Sequence, residues 1–208
     1  MKTSISVVLA ILLVSLLGGC AGTARSSLPI DTGTALPGGT VTLRGAPVQL
    51  TGTPVKVGDP LPSAILIDAF TMNRVDPSSM LGKVLIVSMV PSLDTRVCEA
   101  QTHDLGEKGA NLPADIVRIT VSRDTPFAQK RFAEESKLSG IVYLSDYRDG
   151  SFGRELGLLQ KESMLLARAV IVVDGKGIVR YIQVVPELTH LPDMDAAIRK
   201  AEDLLKGG

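Results

Sequence analysis

The stretch Val84–Gln101, VLIVSMVPSLDTRVCEAQ, places a buried strand, a stop and a helix start within eighteen residues, and so constrains the fold more than any other segment. Val84 to Val90 is an apolar run of the length of a fully buried strand, and Pro91 closes it because a proline has no N–H for a central ladder. Ser92, Asp94 and Thr95 then offer oxygens that cap a helix whose first turn contains Cys98. That is a reactive place for a thiol. The free N–H groups and positive dipole end of a helix favour a thiolate, and a free cysteine, with a pKa near ~8.5, needs such help to ionise at neutral pH. The alternative is a buried, inert cysteine; a position between strand end and helix start favours the reactive one.

Around this stretch the chain alternates. Val41–Leu50 reads as a hairpin turning at Arg44-Gly45-Ala46-Pro47, and Ala64–Phe70 as a further strand. Val117, Ile119 and Val121 alternate with polar residues, which predicts another strand. Thr125 as N-cap and Pro126 at the first helical position open a helix over FAQKRFAEESKL. Ile141–Leu144 is a short strand and Asp149–Leu159 a modest helix. Ala167–Val173 and Ile178–Val185 are β-branched runs joined by Asp174-Gly175-Lys176-Gly177, a hairpin signal. Met194, Ala197, Ile198, Ala201, Leu204 and Leu205 repeat at helical spacing and predict a closing helix. Strands alternating with helices, then a hairpin and a helix, give an α/β domain with a mixed sheet. The length of 208 residues and 45% hydrophobic content suit one such domain.

The N-terminal segment reads as an export signal. Lys2 precedes an apolar core, Ile5–Leu17, that is short of the about 20 residues a membrane span needs. Leu17-Gly18-Gly19-Cys20 resembles the lipobox of bacterial lipoproteins. The resemblance implies cleavage after residue 19, lipid on the Cys20 sulfur, and attachment to a membrane of the bacterial cell envelope, periplasmic or outer-membrane-associated where two membranes exist. The alternatives are an ordinary secretory signal and an uncleaved anchor. Ala21–Thr40 is rich in Gly, Ser, Thr and Pro, so residues 20–40 are expected to form a flexible tether spanning roughly 25 Å, with the domain occupying 41–208. An ordered extension packed on the domain is the alternative. With Cys20 lipidated, Cys98 has no internal partner for a structural disulfide.

Several function classes are disfavoured. Lys and Arg (22) balance Asp and Glu (22), aromatics are 3% and tryptophan is absent, so nothing suits nucleic-acid binding. His103 and His190 are the only histidines, and no second cysteine or clustered carboxylate stands at metal-ligand spacing. Gly175 and Gly177 serve a turn, since no phosphate-loop pattern follows a strand.

Pro91, Thr95 and Cys98 in PSLDTRVC match the P-x-x-x-T-x-x-C pattern of peroxiredoxins, and the chain around them resembles the thiol peroxidase branch. VTLRGAPVQL resembles that branch's N-terminal hairpin, TPFAQKRF the helix after the next strand, and LLARAVIVVD the strand bearing its active-site arginine; the match covers roughly residues 41–206. The resemblance implies a thioredoxin-like fold, a mixed central sheet flanked by helices with an added N-terminal β-hairpin. It further implies a homodimer and cofactor-free reduction of hydroperoxides. Cys98 is then the peroxidatic nucleophile, attacking one peroxide oxygen while the other leaves with negative charge. Thr95, three residues earlier, is expected to turn its hydroxyl to the same pocket. Pro91 shields the sulfur, and the family arginine falls on Arg168.

One departure matters. The branch's resolving cysteine falls on Ala133, so an internal catalytic disulfide is excluded. A one-cysteine mechanism with an external thiol reductant, a thioredoxin-like protein or a small thiol, is expected. The rival is a non-enzymatic peroxide sensor or scaffold that relays oxidation to a partner. A dithiol oxidoreductase is disfavoured because residues 98–101 read Cys-Glu-Ala-Gln.

Overall fold

The computed structural model describes residues 28–207. The expected signal segment, Cys20 and the first part of the tether lie outside the described residues. In chain order the strands are β1 (Ile30–Asp31), β2 (Thr40–Leu43), β3 (Ala46–Thr51), β4 (Leu66–Asp68), β5 (Arg74–Val75) and β6 (Val84–Met89). Helix α1 (Arg96–Lys108), β7 (Ile116–Ser122), α2 (Pro126–Ser136), β8 (Ile141–Ser145) and α3 (Ser151–Glu155) follow. The chain closes with β9 (Leu159–Gln160), β10 (Ala169–Val173), β11 (Val179–Val184), β12 (Leu191–Pro192) and α4 (Met194–Lys206).

Strand β6 is an interior strand of a seven-stranded sheet ordered β11-β10-β6-β7-β8-β4-β5. It runs parallel to β7 and antiparallel to β10, so the sheet is mixed as expected. All six of its residues are buried because both faces are covered. Successive side chains on a strand point to opposite faces. Val84 and Ile86 accordingly join Leu105 of α1 and Ala197 and Ala201 of α4 on one side. Leu85, Val87 and Met89 join Ile119, Val121, Phe152 and Leu166 on the other. A third cluster gathers Cys98, Val90 and Leu93 with Ala133 of α2 and Tyr143 of β8. Helix α1 thus starts at the C-terminal edge of the central strand and lays its buried residues, Cys98, Gln101, Thr102 and Leu105, against the sheet.

The expected hairpin is β2–β3, turning through Arg44 and Gly45, both left-handed at φ 52 and 79. The conformation is that of a tight two-residue turn. The expected helix over Asp149–Leu159 is shorter. It stops at Glu155 because Gly157, at φ 68, turns the chain so that its α-carbon lies against Pro54 and Gly38, where a Cβ would stand 3.1 Å from either backbone nitrogen. The remainder becomes β9, which pairs with β3.

The tether expected through residue 40 is corrected from Leu28 onward, where the chain is seated on the domain. Strand β1 pairs in parallel with β12, Ala35 N donates to the Val184 carbonyl at 2.8 Å, and Gly38 N to the Gly157 carbonyl at 2.7 Å. Gln183 Nε2 donates to the carbonyls of Asp31 and Gly33. These contacts are mostly through backbone groups, which is why a segment without apolar period still docks. No described helix is long and apolar enough to cross a membrane.

Candidate active site

Cys98 is the third residue of α1, and its side chain is fully covered. The helix begins at Thr95, which supplies the extended N-cap backbone but no side-chain hydrogen bond to the first turn. The other long helices differ. Thr125 caps α2 through Ala128 N, and Asp193 caps α4 through Ala196 N at 2.9 Å. The first N–H groups of α1 therefore remain for an anion at the helix start.

The loop into α1 is fixed from the neighbouring strand end. Asp124 accepts from Ser92 Oγ at 2.7 Å, from Leu93 N at 2.7 Å and from Ser122 Oγ at 2.7 Å. Its own carbonyl accepts from Ser145 Oγ. Asp124 thus ties the segment after Pro91 to the end of β7 through its carboxylate and to the end of β8 through its carbonyl.

Arg168 immediately precedes β10, and only 2% of it is exposed. Each edge of its guanidinium has a partner. Nε donates to the Leu188 carbonyl at 3.0 Å, Nη1 to Gln101 Oε1 at 2.7 Å, and Nη2 to Cys98 Sγ at 3.4 Å. Gln101 is itself held, its Nε2 donating to Ser88 Oγ at 2.8 Å and to the carbonyls of Met89 and Ala169. Among the described residues no carboxylate pairs with Arg168. A buried cation without a carboxylate is costly unless another negative group faces it, and the group in contact is the Cys98 sulfur. Guanidinium and helix start thus both face that sulfur.

The sequence expectations fare unequally. Cys98 and Arg168 meet as expected, and Pro91 follows the central strand at the edge of the site. Thr95 does not turn to the sulfur: it is exposed, and its Oγ1 donates to the Ser92 carbonyl at 3.1 Å. Backbone geometry at the cap explains this, because the i−3 carbonyl lies within reach of a threonine hydroxyl. Ala133 is buried in the same cluster as Cys98, and Cys98 is the free cysteine of the described residues. Gln101, Asp124 and the Leu188 carbonyl were not anticipated. Gln101 lies one turn after Cys98 on the same helical face, a spacing that points to a shared pocket; the other two leave no local signal.

No group of three or more metal-ligating side chains occurs among the described residues. A surface groove of about 530 Å³, lined by Ile30, Leu191 and the Arg96, Ala100, His103 and Glu107 side of α1, lies on the helical face opposite Cys98.

Residues 56–198 match the family model described as Redoxin. A thiol peroxidase of Listeria innocua is 43% identical over 162 residues, which cover 78% of this chain and 97% of the relative. A thiol peroxidase of Bacillus subtilis is 41% identical over 166 residues, covering 80% and 98%. Among solved structures, a peroxiredoxin-like protein from Aquifex aeolicus superposes with TM-score 0.75 at 37% identity, over 79% of this chain and 96% of that one. The thiol peroxidase of Chromobacterium violaceum, 20% identical, shares the fold with TM-score 0.73 over 82% and 99%.

Proposed function

Because the chain belongs to the Redoxin family and, within it, to the thiol peroxidases, we propose that Cys98 is the peroxidatic nucleophile of a one-cysteine cycle that reduces hydrogen peroxide and organic hydroperoxides. The observation that carries this reading is the buried Arg168 guanidinium, which has a hydrogen bond to Cys98 Sγ and no carboxylate partner among the described residues.

In the first half-reaction the Cys98 thiolate attacks the near peroxide oxygen. The O–O bond breaks, the sulfur becomes a sulfenic acid, and the far oxygen leaves as hydroxide or alkoxide and takes a proton. Arg168 and the uncapped N–H groups of α1 face the charge that develops. Thr95, open to solvent at the helix start, is the further donor once its hydroxyl exchanges the Ser92 carbonyl for a peroxide oxygen. Pro91 closes the site without presenting an N–H.

In the second half-reaction an external thiol condenses with the sulfenic acid and expels water. A second thiol then resolves the mixed disulfide and regenerates Cys98. Ala133 offers no internal thiol. The sulfur is fully covered, so a thioredoxin-like protein or a small thiol reaches it only as the first turn of α1 opens. Exposed Phe127 of α2, at 72%, and Phe70, at 50% and with its ring beneath Lys130 of the same helix, support a homodimer contact on the α2 side. The lipobox supports lipid on Cys20 and attachment within the bacterial envelope, where alkyl and lipid hydroperoxides are at hand.

The test is intact-mass analysis after one equivalent of peroxide, with and without dimedone. Wild type is expected to give a dimedone adduct at Cys98 that dithiothreitol prevents, and a sulfinic mass in excess peroxide; Cys98→Ser gives neither and consumes no peroxide. Peroxidase turnover by Cys98→Ser at the wild-type rate overturns the assignment.

A further inference from the structure

We propose that Glu187, without touching the sulfur, is a positioning residue that sets where the Arg168 guanidinium points. The inference rests on the reading of Cys98 as nucleophile. Its starting point is the planar fork of Arg168. Gln101 fixes one edge and the Leu188 carbonyl another, and with both fixed the third edge has one direction left, toward Cys98 Sγ. The Gln101 side chain is anchored to β6 and β10, whereas Leu188 sits in the connection between β11 and β12. What holds that connection therefore decides the aim of the guanidinium.

Glu187 is the clamp. Its Oε1 accepts from Arg44 N at 2.9 Å and from Thr189 N and Oγ1 at 3.1 and 2.8 Å. Its Oε2 accepts from Gly45 N at 3.0 Å and Thr42 Oγ1 at 2.8 Å. Arg44 and Gly45 are the two left-handed residues of the β2–β3 turn, so successive N–H groups converge on the carboxylate as an anion nest. Burial alone raises the carboxyl's pKa; the Gly45 and Arg44 N–H groups and the Thr189 and Thr42 hydroxyls overcome it and hold the pKa down at about 2. Backbone bonds complete the joint. Thr42 N donates to the Pro186 carbonyl and Leu188 N to the Thr42 carbonyl, each at 2.7 Å, and Val185 N donates to the Arg168 carbonyl. The hairpin thereby grips residues 186–188 through Glu187, and the neighbouring Leu188 carbonyl grips Arg168.

The experiment compares wild type, Glu187→Gln, Arg168→Met and the double variant. As a control, Asp174→Asn loosens the β10–β11 turn, where Asp174 accepts from Lys176 N, Ile178 N and Arg180 Nε. The readouts are the pH profile of Cys98 alkylation by iodoacetamide, the second-order rate constant with hydrogen peroxide, and the urea midpoint. Glu187→Gln is expected to move the alkylation profile to higher pH and slow the peroxide reaction about tenfold, and to add nothing on the Arg168→Met background. Asp174→Asn lowers the urea midpoint and leaves profile and rate in place. A Glu187→Gln protein with the wild-type profile and rate, effects additive with Arg168→Met, or an equal shift in Asp174→Asn overturns the proposal. Should Glu187→Gln not fold, Thr42→Val removes one donor to the carboxylate and is expected to shift the profile in the same direction; an unmoved profile counts against it. Peroxide turnover surviving in Cys98→Ser would sink the nucleophile assignment, whereas these comparisons sink only the role of Glu187.

Discussion

Arg168 brings a full charge to a nearly closed place, and its three neighbours divide the work. The Leu188 carbonyl and Gln101 satisfy two of its edges, leaving the third for sulfur. Arg168→Met is therefore expected to slow peroxide attack about a hundredfold, the scale of losing one donor to a developing anion, and to move Cys98 alkylation to higher pH. Stopped-flow consumption of peroxide and an iodoacetamide pH profile check both effects. Gln101→Leu tests the support instead: it leaves Arg168 Nη1 and the groups around Ser88 unpaired, and is expected to destabilise the fold by about 3 kcal/mol in urea titration as well as slow the reaction. A fast, fully stable Gln101→Leu protein would remove the glutamine from the site. At this scale the sequence revealed what is local. Cys98 follows a strand stop and a cap, so its place was legible in eighteen residues. Arg168 was legible only through resemblance, and the Leu188 carbonyl not at all, because a backbone oxygen twenty residues away in the chain has no side-chain signature.

Helices and strands show a similar division. Segments with a strong period, β6, β2–β3, β10–β11 and α4, formed where expected, because burial on one or two faces fixes period directly. β1, β9 and β12 have two residues each and are held by pairing across the fold, so no local pattern marks them. The short α3 carries an electrostatic cost that can be measured. Asp146 faces its start, accepting from Gly153 N at 3.0 Å and Phe152 N at 3.3 Å; burial, outweighing these bonds and Arg123, pushes its pKa up to about 6. The folded state thus holds this proton more tightly than the unfolded chain, whose carboxyl titrates near its ordinary 3.8. The Asp146 contribution to stability is fully present below that value and is lost as pH rises through about 6. Asp146→Asn keeps an acceptor without the charge and is expected to raise stability at pH 7 relative to pH 4, as read from urea midpoints at both. An unchanged difference between the two pH values would show that the charge is compensated. Helix α2 offers a further test, since Ala133 lies in the Cys98 cluster. With Ala133→Cys, one equivalent of peroxide should yield an internal disulfide and resistance to sulfinic oxidation, provided local opening brings the Cα atoms within about 4.4–6.8 Å. Intact mass with and without reductant decides, and persistent sulfenic acid in that variant would show that the two positions do not meet.

At the scale of the whole molecule, seating of the N-terminal segment changes what a lipid on Cys20 would do. Seven residues, Ala21–Ser27, separate Cys20 from Leu28, where the chain is already on the fold. Eight steps of at most ~3.6 Å bound the reach at about 29 Å, even for a fully extended chain. β1 is tied to β12 by Leu191 N donating to the Pro29 carbonyl at 2.8 Å and by the Asp31–His190 contact at 3.0 Å. A lipid anchor there keeps the β12 and α1 side close to the bilayer, while a tether running free to residue 40 would let the domain turn. The composition of residues 21–40 pointed to the freer arrangement because it reports period and polarity, and backbone pairing registers in neither. The lipidated protein in vesicles, labelled at exposed Glu107→Cys while Cys98 stays covered, is expected to transfer energy efficiently to a headgroup acceptor. Inserting twenty Gly and Ser residues after Ala21 should lower that transfer, and Cys20→Ala should release the protein from the vesicles altogether. Equal transfer with and without the insertion would mean that the seated segment does not set the distance, and wild type recovered wholly soluble, beginning at a residue other than 20, would remove the anchor itself.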